Sequence, residues 1–560
     1  MNTVQREDNC FMYYRTNKDG DEVVEKITNY DLTPICIVSE IETTRSKKVQ
    51  QEYLLVRLTK EKSQGQSYFK TITGEDEEDS KTFIKKIHQG TIGLWESFNK
   101  NSFNLLKELL HEDLKVIKIY KNLGYQHSEE MYVSGLNIYD YKTNSFTEYP
   151  LIPNGVYISK DELLKLLPEE STKITYRKEF DAKKEMDLFF TIITKTYNHS
   201  SVLVAIAVVI ATAFYDLFVK HAQGFPFVIL YGDPASGKTT LLYCLAAIFG
   251  IIERSLFMSG TSTVAGFRNQ LAKNNNRCIF CDEIEQNLFD KFVDLGKDSF
   301  SGTPRKKSSS DGSEVVTEIN TSFCATTNHF FQNFSFAGVS RTIIVNMQQG
   351  QFDLTNFPYH SQESLERLTN FLGLILAYRD KVLSLYHSEF KVAQKYSTQS
   401  RLCNNVAIAM AIWKIINEIL GKELINTETL AKEYLEYFDR YLDTELKYGD
   451  VFLSDVYKIF TKKELVYGRD FLITKGKYLR INLSKFCEIY NSNSIDKLNT
   501  AQLRLKLAND KRFNLKSSDM KPIGKAIKVD ISENATILDI KKHVTLLAED
   551  EEYDNNETEE

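Results

Sequence analysis

The chain has 560 residues, 42% hydrophobic and 26% charged, with a formal net charge of -6; such a length suggests about three domains of roughly 100–200 residues each and allows a sizeable buried core. Its eight cysteines (Cys10, Cys36, Cys244, Cys278, Cys281, Cys324, Cys403 and Cys487) are scattered through apolar segments, which excludes a disulfide framework and fits a reduced, cytoplasmic compartment. The start of the chain lacks an apolar leader core, and the longest apolar run, Val202 to Tyr215, stops at Asp216 short of the roughly 20 residues a membrane span needs, so no membrane partner is expected.

Residues 1–170 read as an α+β accessory domain. Strand-like runs at Glu52 to Leu58 and Met131 to Tyr141, an amphipathic helix around Ser102 to Leu110 and an acidic loop from Gly74 to Asp79 carry no catalytic spacing, and Pro150, Pro153 and Gly155 mark the edge. Residues 171–430 alternate strand and helix patterns, as expected of a parallel sheet covered on both faces. The run from Val202 reads as a core helix, Phe227 to Tyr231 as a strand, and Thr240 to Phe249 as an apolar helix stopping at Gly250. Asn274 to Asn276 reads as a turn, followed by short buried strands at Arg277 to Ile284, Ile319 to Ala325 and Arg341 to Asn346; Glu363 to about Ile425 is helical. Residues 431–547 form a basic module: Val451 to Leu547 holds 19 Lys and Arg against 10 Asp and Glu. Residues 548–560 read as a solvated, disordered tail, because Glu549 to Glu560 holds eight acids and no base.

The chemistry concentrates between Leu230 and Arg341. Gly232, Asp233, Pro234, Ala235, Ser236, Gly237, Lys238, Thr239 and Thr240 have the spacing of a phosphate-binding loop, with a strand before it and a helix after it. Glycines there let backbone N–H groups curl around phosphate oxygens at a helix N-terminus. Lys238 would reach the β and γ phosphates of ATP, and Thr239 would hold Mg²⁺. Asp282 closes an apolar strand 44 residues after Lys238, where its carboxylate can face the loop and share the Mg²⁺, while Glu283 can activate a water. Cys278 and Cys281 lie on the same strand, where residues three apart point to opposite faces, so they read as structural. Asn328 ends the next strand and can hold that water or the γ-phosphate. Arg341 opens the last strand, from where an arginine can complete a neighbouring subunit's site. Between the acids and Asn328, Gly302 to Ser313 contains Arg305, Lys306 and Lys307 and the turn signal Asp311-Gly312, a basic hairpin suited to a nucleic-acid backbone.

These motifs resemble AAA+ ATPases of the pre-sensor-1 hairpin clade, which includes the superfamily 3 and MCM helicases. Gly232 to Thr239 resembles Walker A, Asp282 and Glu283 Walker B, Asn328 sensor 1, and Ser340-Arg341 the MCM arginine-finger pair. More narrowly, the helix from Ser200, Gly124-Tyr-Gln, Tyr132-Val-Ser-Gly135 and Arg401 are similar to the primase-helicase family of bacterial mobile elements, such as the replicative helicases of staphylococcal cassette chromosomes and pathogenicity islands; Tyr125 stands where that family usually has Trp. The resemblance implies a P-loop ATPase core, a winged-helix-like C-terminal domain, a hexameric ring that moves 3′ to 5′ on single-stranded DNA, recognition of double-stranded origin DNA, other replication proteins as partners, and Arg401 as the sensor-2 arginine that binds nucleotide.

The expected function is therefore an ATP-dependent replicative DNA helicase of a mobile element. An initiator that uses ATP as an assembly switch without unwinding is the alternative from the binding class, and a small-molecule P-loop kinase a third, disfavoured by the long accessory domains. The expected DNA contacts of the C-terminal module are Lys462, Lys463, Lys475, Lys477, Arg480, Lys511 and Arg512, with nearby Tyr and Phe.

Overall fold

The computed structural model describes residues 2–61, 67–232, 234–285, 288–308, 314–328, 338, 340–347, 352, 357–446, 448–462, 464–475, 477–493, 499–507, 512–520 and 523–531. The chain divides into two compact units, Met1–Tyr434 and Leu435–Glu560.

At the centre of the first unit, five strands lie in the order Met258–Ser259, Ile279–Asp282, Phe323–Thr327, Phe227–Gly232, Thr342–Met347, all parallel. Phe323–Thr327 is buried at every position and Phe227–Gly232 at all but its last. Cover on both faces explains why these stretches are unbroken apolar or small runs rather than alternating ones. The expected strand Ile319 to Ala325 is displaced to Phe323–Thr327 because the residues before it bond through side chains instead of a ladder. Thr321 Oγ1 donates to the Arg277 carbonyl at 2.8 Å, and Ser322 Oγ to that of Pro226 at 3.0 Å.

Against this sheet packs Ser200–Ala211, with all twelve residues buried. An apolar circumference of that kind has no face to offer water. The helical path continues through Thr212–Phe214 and Tyr215–His221. It is longer than the apolar run suggests: Ser200–His221 spans 22 residues, enough by length and composition to cross a membrane, but 89% of its most apolar stretch is buried inside the protein. Its main partner is Ser400–Leu420, whose wholly buried Trp413 donates Nε1–H to the Leu203 carbonyl at 3.0 Å.

The N-terminal residues build a four-stranded sheet in the order Ser67–Thr73, Lys48–Lys60, Tyr30–Thr43, Val116–Tyr120, and a second sheet in the order Ser145–Glu148, Asn137–Asp140, Met131–Ser134, Leu123–Gln126. The expected turn at Asn274 to Asn276 is instead a strand: Asn274–Asn275 pairs in parallel with Leu123 and Gly124, adding a fifth strand to the second sheet. Gly124 makes this seam possible. Its φ is +87°, and a Cβ there would lie 1.7 Å from the Asn275 carbonyl oxygen. Tyr132 continues the seam by donating its hydroxyl to the Asn276 carbonyl at 3.1 Å.

Beneath the seam lies a buried ion pair. Arg379 donates to both carboxylate oxygens of Asp216, 3.1 Å to Oδ1, and its guanidinium lies 3.7 Å from the centre of the Tyr125 ring. Asn276 donates its amide to the same carboxylate and accepts from the Asp216 backbone N–H at 3.0 Å. Burial pushes the Asp216 carboxyl up, but Arg379, His127 and Asn276 together hold it below the usual carboxylate range. Taking away one member strands the other charge, so Asp216→Ala or Arg379→Ala is expected to cost about 3–5 kcal/mol, read from denaturant midpoints. Burial lowers the His127 imidazole below the usual 6.5 against the opposing charge of Asp216, and Arg379 and Arg45 add to the lowering. The unfolded chain takes up that proton more readily, so stability is present above about pH 6.5 and falls as the pH drops. The same midpoints should decline from pH 7.5 to 5.5, and less so in His127→Gln.

The second unit runs helix Tyr448–Thr461, strands Phe471–Thr474 and Tyr478–Ile481, helices Leu483–Asn493 and Thr500–Leu507, and the hairpin Phe513–Met520 with Gly524–Asp530. Its antiparallel sheet has the order Phe471–Thr474, Tyr478–Ile481, Gly524–Asp530, Phe513–Met520, closed over a core that includes Phe452, Leu479, Phe486, Leu503 and Val529. Lys462, Lys475 and Lys477 are exposed and Arg512 is half-buried. Arg480 is 8% exposed, which corrects its expected place among the DNA contacts: it sits in the packed sheet. Lys463, Lys511 and the acidic tail lie outside the described residues.

Candidate nucleotide site

The site forms where the parallel strands end. Gly232 closes its strand at φ +140°, in a place where a Cβ would lie 1.9 Å from the Met347 carbonyl oxygen. Ala235 at φ +59° and Gly237 at φ +89° then turn the chain back onto the first turn of helix Lys238–Ile248, with Gly237 as its N-cap. Tyr197, wholly buried, braces this turn by donating its hydroxyl to the Gly237 carbonyl at 3.1 Å. Asp233 lies outside the described residues.

The loop opens into a cleft of about 290 Å³. Pro234, Ala235, Ser236, Gly237, Lys238, Thr239 and Thr240 line one wall, and Asp282, Glu283, Thr326 and Asn328 the other. The first N–H groups of the helix have no intrahelical acceptor, and the helix dipole adds positive potential, so this wall suits phosphate. Lys238, 6% exposed, folds its ammonium back to donate to the Gly232 carbonyl at 2.8 Å and to Ser236 Oγ at 3.4 Å.

On the opposite wall Thr326 organises the acids. Its hydroxyl donates to Asp282 Oδ1 at 2.8 Å and accepts the Glu283 backbone N–H at 2.8 Å. Thr239 Oγ1 also donates to Asp282 Oδ1, at 3.4 Å, and the Tyr243 hydroxyl reaches Oδ2 at 3.4 Å. Burial and the Asp282 charge both raise the Tyr243 phenol. The Thr239 hydroxyl and the Asp282 carboxylate thus offer hard oxygen ligands to one point, a donor set that fits Mg²⁺.

Glu283 has φ +60°, a left-handed conformation rare for a side chain of its size and costing of order 1–3 kcal/mol. The turn separates its carboxylate from that of Asp282 and hands it to Asn328, whose Nδ2 donates to Glu283 Oε1 at 2.7 Å. Gly260 permits the turn, since a Cβ there would lie 1.6 Å from the Glu283 carbonyl oxygen. Thr326 and Gly260 are the contributors that sequence reasoning passed over. A hydroxyl two residues before Asn328 at a strand's end is a weak signal by itself, and Gly260 carried none.

Two of the expected site residues stand elsewhere. Thr342 pairs with Phe227, and Met347 with Gly232, so Arg341 lies at the far end of the sheet, about 20 Å along the strands from the loop. It is half-buried, 5.7 Å from the centre of the Phe300 ring. Arg401, at the exposed start of Ser400–Leu420, is its neighbour; burial and this second positive charge both lower the Arg341 guanidinium. Arg401 is not among the described residues lining the cleft; its charge stands near that of Arg341.

The basic hairpin is formed. Arg305–Ser308 pairs antiparallel with Glu314–Thr317, placing Arg305 opposite Thr317, Lys306 opposite Val316 and Lys307 opposite Val315. Its turn, including Asp311-Gly312, lies outside the described residues. Burial pushes the Cys281 thiol up to about 12 and raises that of Cys278 as well, so neither is a thiolate.

The fold is similar to that of a solved structure described as "SCCmec type IV Cch - active helicase", with a TM-score of 0.55 and 14% identity over 96% of this chain and 99% of that one. Two structures of the NrS-1 C-terminal region align over 88% of this chain and 96% of theirs at 11% identity, with TM-scores of 0.30 and 0.32. No curated protein matches the sequence. The pattern of one family, described as "Domain of unknown function (DUF927)", matches residues 5–314, more than half of the chain and all of the stretch from the N-terminal sheets through the acid pair to the basic hairpin. The chain belongs to the DUF927 family.

Proposed function

We propose that the protein is an ATP-dependent replicative DNA helicase of a mobile genetic element, an AAA+ motor of the superfamily 3 and MCM type acting as a ring, on the strength of the cleft in which Lys238 and Thr239 face Asp282, Glu283 and Asn328. That cleft is the observation that carries the reading. The triphosphate of ATP would lie along the N–H groups at Ser236 to Thr240, with Lys238 released from the Gly232 carbonyl onto the β and γ phosphates. Mg²⁺ held by Thr239 and Asp282 would neutralise phosphate charge. Glu283 would take the proton of the attacking water, and Asn328 would hold the carboxylate and the water in line.

Arg341, at the wrong end of the sheet for its own nucleotide, would reach the phosphates bound by an adjacent copy, with Arg401 beside it. Two such cations close together gain most from a shared polyanionic partner. This is why the reading includes a homo-oligomer, and by family resemblance a hexamer moving 3′ to 5′. Arg305, Lys306 and Lys307 would grip the backbone of single-stranded DNA. The second unit, whose helix–strand pair–two helices–hairpin order suits a winged helix, would bind origin duplex through exposed Lys475 and Lys477. The likeness to a structure described as an active helicase of a cassette chromosome supports the same reading.

The test is ATP turnover with and without single-stranded DNA, displacement of a strand from a forked duplex, and the mass of the assembly. Turnover stimulated by DNA, with displacement by an oligomer, is expected. Origin binding without stimulated turnover would replace the motor by an ATP-switched initiator.

A further inference from the structure

The tip of one N-terminal hairpin meets the root of the basic hairpin. Tyr30–Thr43 and Lys48–Lys60 are joined through a turn in which the Thr44 N–H donates to the Lys47 carbonyl at 2.8 Å. Asn275, beside the strand that leads to the acids, donates its amide to the Thr43 carbonyl at 2.7 Å. From this turn Arg45 reaches the root that leads into the basic hairpin by donating to the carbonyl of Gly302, three residues before the incoming strand Arg305–Ser308, at 2.5 Å. It reaches the root that leaves the hairpin, just past the outgoing strand Glu314–Thr317, by donating to the Ile319 carbonyl at 3.1 Å and to Asn320 Oδ1 at 3.2 Å. Ser46 adds a hydroxyl bond to Glu318.

The surroundings are shaped for that guanidinium. It lies 5.9 Å from the centre of the Tyr215 ring, and the Tyr215 hydroxyl donates to the Ser299 carbonyl at 2.5 Å. Ser299 belongs to helix Phe289–Ser301, which leads from the acid side of the cleft into the hairpin. Gly302 ends that helix at φ +59°, and a Cβ on it would fall 2.5 Å from an Arg45 nitrogen. A two-stranded hairpin is marginal by itself. A planar fork that binds both of its roots removes the freedom to hinge there, which a single ammonium cannot do.

We propose that Arg45 is a positioning residue for the basic hairpin: it ties both roots to the N-terminal sheet, so that the hairpin moves with helix Phe289–Ser301 as one body instead of pivoting at Gly302. The inference rests on the motor reading for its purpose, though not for its geometry. The N-terminal domain then acts as the bearing of the DNA-gripping element.

Arg45→Ala and Arg45→Lys test this in the full chain. In Arg45→Ala, amide hydrogen exchange at residues 303–308 and 314–320 should rise by about tenfold or more, with Lys238–Ile248 unchanged. Strand displacement and DNA-stimulated turnover should fall by about tenfold, while basal turnover and the KM for ATP stay within about twofold. Arg45→Lys should recover less than half of the loss. Unchanged exchange at the hairpin overturns the proposal, and so does unimpaired displacement. A parallel loss of basal turnover and thermal midpoint also overturns it, since Arg45 would then only hold the fold. If the wild-type protein displaces no strand, the motor reading fails separately and the exchange measurement still decides whether the clamp exists.

Discussion

Glu283→Gln is expected to lower steady-state ATP turnover by about 10²–10⁴-fold, the range of a positioned general base, with nucleotide affinity nearly unchanged. The substitution keeps the size of the side chain and leaves an amide oxygen to accept from Asn328 Nδ2, now 2.7 Å from Oε1. It also leaves untouched the Thr326 bonds that hold Asp282 and the Glu283 backbone. Only the capacity to take a proton goes. Turnover by rapid quench and affinity by a fluorescent nucleotide would separate the two quantities; a variant that hydrolyses ATP at the wild-type rate removes Glu283 from the mechanism.

Arg341→Ala should be as severe, about 10³–10⁵-fold in turnover if the arginine stabilises charge on a neighbour's transferring phosphate. Its place at the opposite end of the strands from Gly232 makes a sharper experiment available. Mixed with Glu283→Gln, itself inactive, Arg341→Ala should regain part of the wild-type rate. In the mixed assembly some clefts take an intact glutamate from one copy and an intact arginine from the next. Two defects within one chain's own site could not complement in this way, so absence of any recovery would confine Arg341 to a structural role over Phe300. Arg401→Ala should show a smaller loss in the same assay, because Arg341 remains.

Phe227 to Tyr231, the glycines of the loop and the helix after it were legible because each follows from neighbours in the chain: an apolar run wide enough for a covered strand, then residues able to take positive φ, then a helix start. The same holds for the strand ending at Asp282, and for the helix Lys100–Leu110, whose capping box through Asn99 and Ser102 is a local device. Asn274 and Asn275 were misread as a turn for the converse reason. Two asparagines favour turns by local chemistry, but here the Leu123–Gly124 edge, some 150 residues earlier, supplies them with a ladder.

Residue types and their spacing were enough to specify a phosphate loop, an acid pair behind an apolar strand and a basic excursion between them, since each depends on contacts a few residues apart. Long-range packing alone chose which groups finish the site: Thr326 beneath both acids, Gly260 making room for the turned Glu283, Arg401 set near Arg341, and Arg45 reaching Gly302 across 257 positions. Those choices depend on how sheets and helices stack in space, and no period or motif along a single chain encodes the distance between residues that meet only after folding.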